Sequence, residues 1–318
     1  MAPRRIVSLL PSATEIVCAL GAGDRLVGRS HECDFPAEVR GLPVCTSSKI
    51  NSETSSAGID REVKSLLSQA LSLYEINLPL LRELQPDLIL TQAQCKVCAV
   101  SLDDVQRALG DWTGVLPRVL SLAPETLDDV LADMVKVGEA LGAPEQGEAL
   151  VRRMSEGLKA VRNQTSGEGH PSVVCIEWLE PLMAAGNWVP SLVTAAGGRN
   201  LLGRNGEHSP WLTWEQLLQA NPDMIVAMPC GFSLARTREE FPIITAHPEW
   251  KALRAVQSGQ VYLTDGNQFF NRPGPRLVES AQILAEIIHP NCCAFGHEGT
   301  GWQRLSSADH QSRRDVRE

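Results

Sequence analysis

Pro86-Asp87-Leu88-Ile89-Leu90-Thr91-Gln92-Ala93-Gln94-Cys95-Lys96-Val97-Cys98-Ala99-Val100 is the stretch that decides the fold. Pro-Asp turns the chain, and Leu88-Ile89-Leu90 is a short apolar run of the kind a parallel sheet buries on both faces. Cys95 and Cys98 follow at once. Ser101, with Asp103 and Asp104 behind it, has the chemistry of a helix N-cap. Two thiols are therefore expected beyond the carboxyl end of a parallel strand, the edge at which open α/β sheets bind ligands.

The same grammar recurs downstream. Leu84-Gln85-Pro86-Asp87-Leu88-Ile89-Leu90 is echoed by Ala220-Asn221-Pro222-Asp223-Met224-Ile225-Val226, and Cys230 follows the second copy as Cys95 follows the first. Working outward, Arg5–Leu10, Leu26–Gly28 and 115–120 read as further strands of a first lobe. Ser12 and Glu15 have capping-box spacing ahead of Ile16–Leu20. Residues 46–60 read as a polar loop, and 60–83 carry helical apolar spacing with a break near Asn77 and Pro79. Glu125–Leu141 and Glu145–Gln164 are long, amphipathic and helical, with strands on either side. Ser172–Ile176, Met224–Met228 and Val261–Leu263 read as strands of a second lobe, and Pro275–Ile288 as its last helix. The expected class is α/β: two Rossmann-like lobes joined by a long connecting helix. The expected boundaries are 1–123 for the first lobe, 124–168 for the connecting helices, 169–290 for the second lobe and 291–318 for a loosely held tail.

The chain has 318 residues and a net charge of −9, with no basic stripe, which argues against nucleic acid and anionic membrane as partners. No stretch is long and apolar enough to span a bilayer. Arg4 and Arg5 precede an apolar run, but Pro11, Ser12, Thr14 and Glu15 interrupt it, so it reads as a strand and not an export signal. Nine cysteines without such a signal point to a reducing compartment, and the expected location is the cytoplasm.

Cys33, Cys95, Cys98 and Cys230 each fall after an expected strand. Four soft ligands, with His31 close to Cys33, would suit zinc or an iron–sulfur cluster if they converged. Single-residue readings are plainer: Cys230 as a small core hydrophobe, His31 as part of a surface turn. Seven Trp against two Tyr and six Phe is an unusual balance. Trp178, Trp188, Trp211 and Phe270 sit near expected loops, where flat rings suit a large planar ligand; Ser12, Glu177 and Asn267 would supply polar contacts. No Ser/His/Asp set, phosphate-binding glycine loop or paired-carboxylate motif stands out. The alternative is a cytosolic metalloprotein or redox enzyme built on the cysteine cluster.

Arg5-Ile6-Val7-Ser8-Leu9-Leu10-Pro11-Ser12-Ala13-Thr14-Glu15, Leu20-Gly21-Ala22-Gly23-Asp24-Arg25-Leu26-Val27-Gly28 and the Pro86-Asp87 unit resemble the substrate-binding proteins of cobalamin and ferric-siderophore ABC transporters. Ala196-Gly197-Gly198 and Trp214-Glu215 through Val226 fit the same family, and the likeness runs from about Arg4 to Ile288. Ser30-His31-Glu32-Cys33-Asp34-Phe35-Pro36, Cys95-Lys96-Val97-Cys98 and Met228-Pro229-Cys230-Gly231-Phe232 resemble a leaderless, cobalamin-binding-like subgroup. The resemblance implies a periplasmic-binding-protein-like fold, a small-molecule ligand such as cobalamin or another metal chelate held between the lobes, and no catalysis. The missing export signal argues against the ABC permease that such proteins serve.

Overall fold

The computed structural model describes residues 2–69, 71–93, 99–110, 112 and 114–306. The first lobe carries β1 (Ile6–Ser8), α1 (Pro11–Ala19), β2 (Leu26–Arg29), β3 (Thr46–Ser48), α2 (Ser56–Ser68), β4 (Tyr74–Ile76), α3 (Leu78–Leu84), β5 (Leu88–Gln92), α4 (Leu102–Leu109) and β6 (Arg118–Leu122). Two connecting helices follow, α5 (Leu127–Ala140) and α6 (Pro144–Gln164). The second lobe holds β7 (Ser172–Trp178), β8 (Met183–Ala184), α7 (Val189–Ala195), β9 (Arg199–Asn200), α8 (Trp214–Ala220) and β10 (Met224–Ala227). It continues through α9 (Leu234–Glu240), α10 (Pro242–Thr245), α11 (Arg254–Gln257), β11 (Val261–Thr264), α12 (Leu277–Ile288) and β12 (Trp302–Arg304).

The first sheet has the order β2-β1-β5-β6 and is parallel throughout. The second runs β12-β11-β10-β7-β8, with β9 also on β7; β7, β10 and β11 are parallel, and β8 and β12 are antiparallel additions. The repeated Pro-Asp unit has one physical job in both lobes. Gln85 and Asn221 end α3 and α8 in the left-handed region, at φ 43° and 36°. The aspartate two residues on then ties down the start of the neighbouring strand. Asp87 accepts from the Arg4 and Arg5 backbone N–H groups ahead of β1, and Asp223 accepts from the backbone N–H and hydroxyl of Ser172 at the start of β7.

β1 is an interior strand with Ile6 and Val7 fully buried, so Arg5–Leu10 belongs to the core of the first lobe. α5 and α6 pack closely because Gly138 meets Gly147; a Cβ on Gly138 would stand 3.0 Å from the Gly147 Cα. Ser101 and Thr213 form the capping boxes their sequences suggest, with Asp104 and Gln216. Ser12 and Glu15 do not: α1 starts after Leu10 with no side-chain cap, because Glu15 is drawn into ion pairs instead.

Two segments differ from expectation. Residues 46–76 are not a loop followed by a helix but an antiparallel β3–β4 pair with α2 between its strands. The segment from 291 is not loosely held as far as 306, because β12 adds to β11 and buries Trp302, whose indole N–H donates to Glu286 at 2.7 Å. No helix among the described residues is long and apolar enough to cross a membrane.

Candidate functional site

The carboxyl ends of β1 and β2 in the first lobe face those of β7, β10 and β11 in the second, and a cleft of about 140 Å³ lies between them. Each wall is set by local chemistry. β1 runs out into Leu10-Pro11-Ser12, which brings the 2%-exposed Ser12 to the cleft. After β2 the Ser30 N–H bonds to Ser8 and turns the chain, so that Glu32 reaches the cleft and Asp34 its edge. After β10 the Cys230 N–H donates to the Glu177 carbonyl, which fixes thiol and carboxylate side by side at the ends of adjacent strands.

The turn after β11 delivers the rest. Asp265 accepts from the backbone and side chain of Gln268, and the Asn271 amide donates to the carbonyls of Met228 and Gly266. Gly266 lies so close to β10 that a Cβ would come within 2.1 Å of the Pro229 carbonyl. Phe270 is fully buried at φ 61°, a conformation that strains a bulky residue. Its backbone is held from two sides: the Trp188 indole donates to its carbonyl at 2.6 Å, and its N–H donates to Ser280 at 3.1 Å.

Ion pairs cross from lobe to lobe. Arg272 bonds Asp34 through both nitrogens, at 2.5 and 3.3 Å, and reaches Glu15 at 3.3 Å. Arg276 grips Glu15 at 2.5 and 2.9 Å and lies 4.1 Å from the centre of the Phe35 ring. Burial favours the protonated form of Asp34, but the bond and charge of Arg272 outweigh it and its pKa falls. A second set of contacts lies at α2. Ser56 donates its N–H and hydroxyl to Glu240, and Arg236 donates to the Thr54 carbonyl at 2.7 Å. Ile59 packs on the core of the second lobe, and Lys64 stands 5.5 Å from the Trp211 ring centre. The β3–α2–β4 excursion is thus a strap reaching from one lobe to the other.

Inside the cleft, two carboxyl groups sit in an environment that resists their charge. Burial pushes Glu177 up to about 7, against the pull of the Ser209 hydroxyl that donates to it at 2.8 Å. Burial likewise pushes Glu32 up to about 7, with Arg272 opposing. The Cys230 thiol is pushed up to about 12 by burial and by the nearby Glu177 and Glu32 charges, so it is a protonated thiol at neutral pH.

Ser12, Glu177, Trp188, Asn267, Phe270 and Cys230 therefore line one cavity. Other expected residues lie elsewhere. His31 turns its ring to Thr46, 2.8 Å away, and packs by Tyr74; burial and Arg29 lower its pKa. Trp178 packs on Phe232 and donates to the Glu180 carbonyl. Trp211 is 55% exposed under Lys64. Cys95 and Cys98 lie outside the described residues. Cys33 points into the first lobe, where the Thr14 hydroxyl reaches its sulfur at 3.0 Å and Ser30 lies 3.3 Å from it. Of the expected four-sulfur centre, Cys33 hydrogen-bonds inside the first lobe and Cys230 lines the cleft, and among the described residues no group of three His, Cys, Asp or Glu side chains could hold a metal ion. Zinc or an iron–sulfur cluster has no support here. Sequence reasoning missed Glu32, Arg272 and Arg276. Arg272 carried a usable signal in Asn271-Arg272-Pro273, a charged residue in the loop after the last parallel strand.

Residues 6–267 match the model of the periplasmic binding protein family. The chain belongs to that family. Among its relatives, an uncharacterized ABC transporter substrate-binding lipoprotein of Bacillus subtilis is 26% identical over 298 residues, covering 91% of this chain and 81% of the relative. A vitamin B12-binding protein of Pectobacterium carotovorum is 25% identical over 290 residues, covering 90% and 88%. Among solved structures, the periplasmic vitamin B12-binding protein of Vibrio cholerae superposes with a TM-score of 0.62 at 23% identity, covering 90% of this chain and 97% of that one. A periplasmic heme-binding protein of Pseudomonas aeruginosa gives 0.68 at 20% identity, covering 96% of each chain. These structures share the two-lobed fold of the family.

Proposed function

We propose that this protein holds a corrinoid or a comparable metal chelate in the cleft between its lobes and hands it on, as a carrier or as the binding component of an ABC importer. What carries this reading is that both walls of the cleft belong to the stretch that aligns with proteins named for vitamin B12 binding. Trp188 and Phe270 give the cleft an apolar, rigid side, while Ser12, Asn267 and Glu177 give it polar groups, the mixture that small-molecule sites use. The cleft measures about 140 Å³, whereas pockets for larger ligands run to roughly 300–1,000 Å³. Loading a macrocycle therefore requires the lobes to part at Asp34–Arg272 and the strap to lift from Glu240. The compartment separates the two roles: the cytoplasm, expected from the sequence, fits a carrier, and a place outside the cytoplasmic membrane fits the importer.

Equilibrium dialysis tests the reading. Purified protein should retain one cobalamin per chain, saturably, and Trp188→Ala should weaken retention by about tenfold or more. Failure of well-folded protein to retain any cobalamin, hemin or ferric chelate would remove the reading.

A further inference from the structure

Among the described residues the charges around the cleft do not balance. Arg272 and Arg276 face Glu15, Asp34, Glu32 and Glu177, while a fifth carboxylate of the lining, Asp133, is bound by Lys136 at 2.7 Å. Glu15 and Asp34 take up both arginines in bonds of 2.5–3.3 Å. Glu32 and Glu177 are left over, one from each lobe. Among the described residues Arg272 donates to the Glu32 backbone carbonyl at 3.4 Å and acts on its carboxylate through charge alone. Among the described residues Glu177 accepts from a neutral donor, the Ser209 hydroxyl, which itself accepts from the Gly186 N–H. Glu32, Glu177 and Cys230 all line the one cleft.

Among the described residues the other titratable groups acting on them do not cancel this charge. Arg272 and Asp34 act electrostatically on Glu32, and Tyr74 lies within the fields of Glu32 and Cys230. Glu177 faces His208, Cys175 and Cys230. Of all these, Arg272 is already shared by Asp34 and Glu15, and His208 is an exposed residue whose Nδ1 lies 3.0 Å from the Ser209 carbonyl. A buried carboxylate without a cationic partner is costly, and a ligand that supplies the cation removes that cost.

We infer that the cleft selects for charge: it takes ligands that present a positive centre between Glu32 and Glu177, and it rejects anionic ones. Applied to the reading above, on which this part rests, the preferred chelate is a cationic corrinoid and not a tetrapyrrole carrying free carboxylates. Binding then displaces the protons that Glu32 and Glu177 hold near neutrality, so affinity for a cation rises with pH.

Two matched pairs of probes separate the charge claim from the corrinoid claim. Calorimetry at pH 7 would compare aquocobalamin, a cation, with neutral cyanocobalamin, and putrescine with succinate, a diamine and a dicarboxylate of four carbons. Within each pair that binds at all, the cation should bind at least about tenfold more tightly, and Glu32→Gln with Glu177→Gln should erase the difference. The Gln variants keep the shape and the Ser209 bond, and circular dichroism would verify that they fold. Putrescine binding with no cobalamin binding would keep the charge selection and end the corrinoid reading. Equal binding of both cobalamins would do the reverse. Binding by neither cation, or a preference for succinate, overturns the inference.

Discussion

Arg272, at the end of the turn after the last parallel strand, donates to both carboxylate oxygens of Asp34, 238 residues away in the opposite lobe. The two lobes are thus joined by a charge-assisted pair directly at the cleft, and not only by the connecting helices. Arg272 is 7% exposed. Burial disfavours its charge, but Asp34 and Glu15 more than compensate, so it stays a cation. A pair of this kind holds the two walls of the cleft together, and parting them would cost its charge-assisted bonds.

Breaking the deeper pair should be expensive. Arg276→Met leaves the 2%-exposed Glu15 carboxylate with Arg272 alone. Loss of one partner of a buried pair costs about 3–5 kcal/mol. Urea denaturation should show a loss of that order, and Glu15→Gln with Arg276→Met should recover part of it. A single variant within about 1 kcal/mol of the parent would mean that the pair behaves like an exposed one.

The cleft acids should leave a pH signature on the ligand-free protein. Glu32 and Glu177 release their protons near pH 7 when folded, against about 4.3 for an unfolded glutamate. Between those values the folded state holds protons the unfolded chain has lost, so their contribution to stability falls as pH rises from about 4.5 to 7, then stays level. His31, whose pKa is lowered, works the other way below about pH 6.5. Asp34, also lowered, contributes above its ordinary value of about 4 and loses that contribution as pH falls through its folded one. Subtracting the curve of the Glu32→Gln, Glu177→Gln double variant isolates the glutamates. The variant should gain on the parent by roughly 1–3 kcal/mol between pH 5 and 7.5; parallel curves would contradict the assignment.

How much of this was legible in the sequence follows from how local each signal is. The Pro86-Asp87 and Pro222-Asp223 units announced their strands because turn, cap and apolar run lie within seven residues. Trp188 and Phe270 stood out as rings near strand ends. The Glu15–Arg276 pair spans 261 positions with no pattern to connect them, so Glu15 looked like a helix cap. Cys33 looked like a ligand because its loop comes after a strand; only packing shows the thiol turned toward Thr14. β3, β4 and β12 are three residues each, too short for a period-2 pattern to show.

The strap gives a prediction about dynamics. Ile59→Ser with Glu240→Gln removes its apolar contact and the acceptor of Ser56. Amide hydrogen exchange over 46–69 should speed up, while β5 and β10 keep their protection. Unchanged exchange in the strap would show that it is held by its own lobe alone.

The first strand constrains processing. Ile6–Ser8 lies between β2 and β5, so a mature chain cut within 6–23 would lose an interior strand. Cys18 sits in α1, half-buried, with its thiol pushed up to about 11, first by burial. Mass spectrometry of protein from its native source should find Ile6–Ser8 present and Cys18 without lipid; a lipid on Cys18 would be incompatible with this first lobe.

The most direct measurement is the position of cobalt in crystals grown with aquocobalamin. One anomalous peak is predicted, between the lobes and bordered by Glu32, Glu177 and Trp188, with the Asp34–Arg272 distance longer than its present 2.5 Å. A peak on an outer face, or cobalamin bound with the cleft still at about 140 Å³, would contradict the placement of the ligand in the cleft.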